Sequence, residues 1–118
     1  MKFSILSACA AVFMLSLGAQ AATECRAPLE PDIPLRFETE EQLMAVYAEV
    51  KAFITEKSPE YLGCLDVMRS QIDSAADDAD AQLADIDQRN NDNVDAQLAV
   101  KNRFDAAYKI WKSEHPEE

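Results

Sequence analysis

TEEQLMAVYAEVKAFITEKSPEYLGCLDVM, Thr39 to Met68, is the stretch that decides the fold. Thr39 and Gln42 form a capping box: the Thr hydroxyl accepts from the third helical N–H, and the Gln side chain reaches back. Glu40 and Glu41 fall in the first turn, where carboxylates suit the positive end of the helix dipole. Leu43, Val46, Tyr47, Val50, Phe53 and Ile54 then recur at helical spacing as one apolar stripe. Lys57 closes the last turn. Ser58-Pro59-Glu60 reads as a stop and a new start, with Ser58 as N-cap, Pro59 at the first helical position and an acid behind it. The second helix carries Tyr61, Leu62, Leu65, Met68 and Ile72 on one face. Gly63 weakens it by about 1 kcal/mol relative to Ala.

Beyond this stretch the punctuation disappears. From Cys64 to His115 there is neither Gly nor Pro. Leu65, Met68, Ile72, Ala75, Ala79, Leu83 and Ile86 even continue the stripe nearly in phase, so one helix of about 75 Å is an open alternative. Such a helix would leave most of its stripe bare, because the first helix covers only about 28 Å of it. A break in the Ala- and Asp-rich stretch Ser74 to Asp80 would let a last helix fold back and bury that stripe. The pattern therefore predicts an all-α fold, a small antiparallel bundle or hairpin with helices over about 39–57, 59–75 and 79–113. On the last helix Val94, Leu98, Phe104, Ala107, Tyr108 and Trp111 line a face, with Asp85→Arg89 and Asp105→Lys109 as i, i+4 pairs. Lys109 and Lys112 suit the helix end and Pro116 stops it, so the helical domain spans 39–114 and 115–118 form a frayed tail.

At the other end, residues 1–21, MKFSILSACAAVFMLSLGAQA, have the form of a cleaved secretory signal: a basic Lys2, an apolar run to Leu17 and small residues at Ala19-Gln20-Ala21. The run of about 15 apolar residues is short of the roughly 20 that span a membrane. Leu6-Ser7-Ala8-Cys9 resembles a lipobox, but lipidation at Cys9 would strand the apolar run from Ala10 to Leu17 behind it. Cleavage would leave 97 of the 118 residues and two cysteines, Cys25 and Cys64. It would also move the formal net charge from −11 to about −12, because Lys2 is lost. An even cysteine pair in an exported chain reads as a disulfide. By chain entropy, closing its loop of about 40 residues contributes roughly 4 kcal/mol. That matters because Leu, Ile, Val and Phe supply only 20 of the 97 residues, a thin core. Between signal and helix, residues 22–38 carry Pro28, Pro31 and Pro34, an extended arm of polyproline character that the disulfide would staple to the helices. A PxxP arm can serve as a ligand for an aromatic groove; the simpler reading is a rigid lead-in tied down by Cys25.

The residues that could carry chemistry are few. Eight aspartates between Asp73 and Asp95 stand against one basic residue, Arg89. Calcium-loop counts fail: from Asp85, positions five, six and twelve are Arg89, Asn90 and Ala96, without oxygen ligand, Gly or Glu, and from Asp78, Gln82 is followed by Leu83 and Arg89 where Gly and Glu are required. The stretch reads as a solvated acidic face, which also disfavours nucleic acid as a partner. One histidine, His115, near the chain end and two cysteines expected to be bridged assemble neither a catalytic triad nor a zinc site. The chain is therefore expected to be non-enzymatic, with no cofactor, no metal and no membrane span after signal cleavage. Asn90, Asn91 and Asn93 interrupt the last helix, first as a locally weak helix or a turn and second as a polar register device or a partner site. Phe104, Tyr108 and Trp111, at spacings of four and three, read first as core against helix 1 and second as a partner-binding surface.

The order of an exported leader, Cys25, prolines, a capped helix ending Val50-Lys51-Ala52-Phe53-Ile54, then Ser58-x-x-Tyr61-x-x-Cys64-Leu65 and Phe104-Asp105-Ala106-Ala107-Tyr108 resembles small exported helical proteins of Gram-negative, mainly alphaproteobacterial, bacteria. That resemblance implies a periplasmic or secreted helical domain and carries no activity. In outline the chain is also similar to small periplasmic acid-stress chaperones. Three expectations follow: a binding or adaptor protein with an unidentified protein partner, an acid-responsive chaperone, or a helical envelope spacer.

Overall fold

The computed structural model describes residues 24–116; the leader, residues 1–21, with Cys9, lies outside them. Among the described residues there are helices and no strands. We label them α1 (Glu40–Ala52), α2 (Ser58–Ser70) and α3 (Ala79–Glu114), with a π-helical turn, Phe53–Lys57, between the first two. Thr39 caps α1 as expected, its Oγ1 accepting from the Gln42 N–H at 3.0 Å. Gln42 Oε1 reaches one residue further back than a standard box and accepts from the Glu38 N–H at 2.7 Å.

Ser58-Pro59 does not end the first helix. Both flanks of the junction stay right-handed helical, and the Ser58 N–H donates to Phe53 O, five residues back. Proline brings no N–H and its ring crowds the carbonyl four residues earlier. A π-turn accommodates this by widening one turn rather than breaking the helix. It also keeps the stripe in line: the buried series Leu43, Val46, Val50, Phe53, Ser58, Tyr61, Leu65 takes a step of five at the π-turn and steps of three or four elsewhere. Ser58 is consequently a core residue, 0% exposed, and not a cap.

The break falls where the composition placed it, but the preceding helix stops at Ser70 and not near 75. Ser70 Oγ donates to Val67 O, and Asp73 Oδ1 accepts from the Ala75 N–H at 2.9 Å. Both offer the backbone a turn in place of another helical bond. The chain thus forms a hairpin of two arms, the joined α1–α2 and the long α3.

Pairing is antiparallel. The first half of α3 meets α2 through Ile86, packed with Tyr61, Leu65 and Cys25. The second half meets α1 through Val100, Ala107 and Trp111, packed with Leu43, Val46, Val50 and Phe53. Buried residues Ala79, Ile86, Asn93, Val100 and Ala107 follow one another at intervals of seven, so a single line of α3 faces its partner throughout. Val94 and Leu98, expected in the core, lie off that line and are 50% and 58% exposed. Asp105 pairs with Lys101 at 3.0 Å and not with Lys109. At the end of α3, His115 stacks on Trp111 with ring centroids 3.7 Å apart, and Glu114 pairs with Arg36; residues 117–118 of the expected frayed tail lie outside the described residues.

The arm is the third layer. Cys25 and Cys64 are bonded, with Cα atoms 5.8 Å apart. Cys25 and Phe37 are buried, and Pro28, Pro31 and Pro34 between them are half-buried. A burial period of three is that of a polyproline helix laid lengthwise on the hairpin.

Candidate functional site

A helical hairpin has two long grooves, one on each side of the helix–helix seam. The arm fills the first. Arg89 fastens its beginning by donating from Nη2 to Cys25 O and from Nε to Tyr61 Oη at 3.2 Å, with its guanidinium 5.8 Å from the Tyr61 ring centre. Arg103 bonds Glu30 at 3.2 Å midway, and Arg36 reaches Glu114 at the far end. Phe37, 1% exposed, closes this groove against Phe104, with ring centroids 5.7 Å apart. The PxxP segment is thus a ligand of its own hairpin, held as the lead-in reading required.

The second groove stays open. It lies between α1 and the end of α3, has a volume of about 430 Å³ and is lined by Glu40, Met44, Tyr47, Phe104, Tyr108 and Lys112, with Leu43 and Trp111 at its base. Phe104 is its centre: it tilts against Tyr47 at 5.8 Å and stacks with Tyr108 at 6.0 Å. Lys112 Nζ stands 5.8 Å from the Tyr108 ring centre. At 100° per residue, Ala96 and Arg103 on the arm's side of α3 are separated from Lys101, Tyr108 and Lys112 by roughly 150°. The two grooves are therefore on different faces.

The three aromatic residues singled out in the sequence divide between two roles. Trp111 is buried and Phe104 is packed against the same cluster, so both belong to the core. Tyr108 is 40% exposed and forms the rim. Sequence reasoning missed the opposite rim: Met44 is 57% exposed, and Tyr47, assigned to the core, is 47% exposed. The available signal was their spacing from Glu40, four and seven residues, which sets a second line on α1 beside the buried one. Along α3 the line of Tyr108 continues back through Lys101 to Val94, which is 50% exposed. A row of half-exposed apolar and aromatic side chains, floored by a packed core, offers a partner area without costly desolvation of charge.

Between the two apolar clusters lies a polar layer. Asn93, 5% exposed, donates from Nδ2 to Ser58 Oγ at 3.2 Å and accepts at Oδ1 from Gln97 Nε2 at 2.8 Å. Of the three asparagines, Asn93 is thus the polar register device of the seam, sited against the π-turn. Among the described residues no buried side-chain N or O lacks a partner.

Among the described residues no group of three or more His, Cys, Asp or Glu could hold a metal ion. No helix there is long and apolar enough to cross a membrane. No family model matches this chain, and comparison with curated proteins and with solved structures returns no match.

Proposed function

We propose that this chain is an exported, periplasmic or secreted, non-enzymatic binding module that recruits a protein partner through the open groove of Met44, Tyr47, Phe104 and Tyr108. The observation that supports it is the asymmetry of the hairpin. One groove is filled by the chain's own arm and tied by three arginines, while its counterpart presents aromatic and Met side chains to solvent. Exposed apolar patches with a rigid floor are typical of interaction sites. The disulfide fits an oxidising compartment. The seven-residue burial series gives the hairpin a coiled-coil character, a stiff support for such a face. The test is retention from envelope extract by the oxidised mature chain and by Tyr47→Ala/Tyr108→Ala. A partner kept by the wild type and lost from the variant, with helicity equal in both, supports the reading; equal retention by both overturns it.

The acid-responsive reading has one observation in its favour. Two of the arm's three ties, Arg103–Glu30 and Arg36–Glu114, use carboxylates, which acid neutralises. Protonating all 22 acidic residues would carry the mature chain from about −12 to roughly +10, a self-repelling charge that favours opening. Circular dichroism and ANS fluorescence from pH 7 to pH 2 separate the two readings: an unchanged signal throughout removes the acid switch.

A further inference from the structure

The geometry points to a second copy of this chain as the occupant of the open groove, entering with the outer ridge of its arm, Leu29, Asp32 and Leu35. This rests on reading the groove as the binding face. Leu29 and Leu35 are 90% and 91% exposed, the barest large apolar residues among those described. They do not sit on a loose segment: the arm is bonded at Cys25 and anchored by buried Phe37. A ligand already held in its bound shape loses little conformational freedom on docking.

Dimensions and charge agree. A period of three sets Leu29, Asp32 and Leu35 on one ridge, about 19 Å from end to end at 3.1 Å per residue. On α3 the open face from Val94 to Tyr108 runs about 21 Å at 1.5 Å per residue. Ridge and groove also occupy the same length of the molecule, since Glu30 meets Arg103, Phe37 meets Phe104 and Arg36 meets Glu114. Two copies stacked in the same orientation therefore place Leu29 against Val94, Leu35 against Met44 and Tyr108, and Asp32 beside Lys51 and Lys101. Among the described residues neither Asp32 nor Lys51 has an ion-pair partner. The contact supplies one to each.

Ridge and groove are different faces, so the contact is heterologous, and a pair of copies keeps one free ridge and one free groove between them. Its small size places it in the weak, transient class, populated between about 10 µM and 1 mM. Sedimentation of the oxidised mature chain over that range is expected to show a weight-average mass rising about 1.5-fold or more above the monomer. Leu29→Lys/Leu35→Lys removes the ridge, and Met44→Glu/Val94→Glu removes the groove. All four positions are exposed, so both variants keep the fold, as thermal unfolding will verify. Each variant alone stays monomeric. Mixed in equal amounts they form a two-chain species and nothing larger, because each supplies the face the other lacks. A wild type that stays monomeric at about 1 mM overturns the proposal, as does a ridge variant that assembles like wild type or a mixture no heavier than its parts. The ridge variant leaves the groove intact, so its retention of a partner from envelope extract reports on the binding-module reading independently of self-association.

Discussion

Replacing Asn93 by alanine is expected to cost this protein roughly 2–3 kcal/mol, from the two hydrogen bonds it removes and the buried hydroxyl it leaves behind. Asn93 Nδ2 donates to Ser58 Oγ and its Oδ1 accepts from Gln97 Nε2, and both Asn93 and Ser58 are buried. Each bond contributes about 0.5–1.5 kcal/mol net, and stranding the Ser58 hydroxyl adds a desolvation cost of about 1–3 kcal/mol, softened where water or a backbone carbonyl replaces the partner. For a domain of under 100 residues, 2–3 kcal/mol lowers Tm by about 10–20 °C. The double replacement Ser58→Ala/Asn93→Leu removes donor and acceptor together and fills the space, and is expected to lie within about 1 kcal/mol of wild type. Urea and thermal unfolding of the oxidised wild type, Ser58→Ala, Asn93→Ala and Ser58→Ala/Asn93→Ala, followed by circular dichroism, give the corners of a double-mutant cycle. The coupling between Ser58 and Asn93 should be about 0.5–1.5 kcal/mol. An Asn93→Ala cost under about 0.5 kcal/mol, or strict additivity within about 0.3 kcal/mol, would refute the claim that a satisfied polar layer joins the two clusters.

Three further outcomes test the layers separately. Phe37→Ala should cost about 3–5 kcal/mol, against under about 0.5 kcal/mol for Leu35→Ala, two residues away on the same arm but outside the core; urea unfolding checks both. Cys25→Ser/Cys64→Ser should lose up to roughly 4 kcal/mol by chain entropy, and hydrogen exchange should show the arm near Cys25 opening before α1 and α3 do. Gly63→Ala should raise stability by about 0.5–1 kcal/mol, because Gly63 is helical and a Cβ there meets nothing within 4 Å; a loss measured by thermal unfolding would contradict it.

Several rules read from the sequence held where the determinants were local. The Thr39–Gln42 cap, the α1 stripe, the turn near Asp73 and the Cys25–Cys64 pair each depend on a few neighbouring residues or on a single possible pairing. Ser58-Pro59 misled because the same triplet serves a helix start and a π-turn, and only the step of five in the buried series distinguishes them. Val94 and Leu98 misled because α3 is paired along a seven-residue line that contains an asparagine. Hydrophobicity alone therefore chose the wrong face. The arm's depth was partly readable: Cys25, Pro28, Pro31, Pro34 and Phe37 keep a period of three, but Phe37 gains much of its burial from α3, which is distant in sequence. For the groove, the sequence showed Phe104, Tyr108 and Trp111 as a stripe. Which of them would remain at the surface depended on how far α3 rotates toward α1, a tertiary property.

The most direct measurement is photo-crosslinking in the envelope from a photoreactive residue placed at Tyr108, with the same residue at Asp66 as control. Tyr108 rims the groove, and Asp66 is exposed on the distant α2. The account predicts protein adducts from position 108, including one of twice the chain's own mass, and none from position 66. Adducts from position 66 alone, or equal labelling at both, would contradict it.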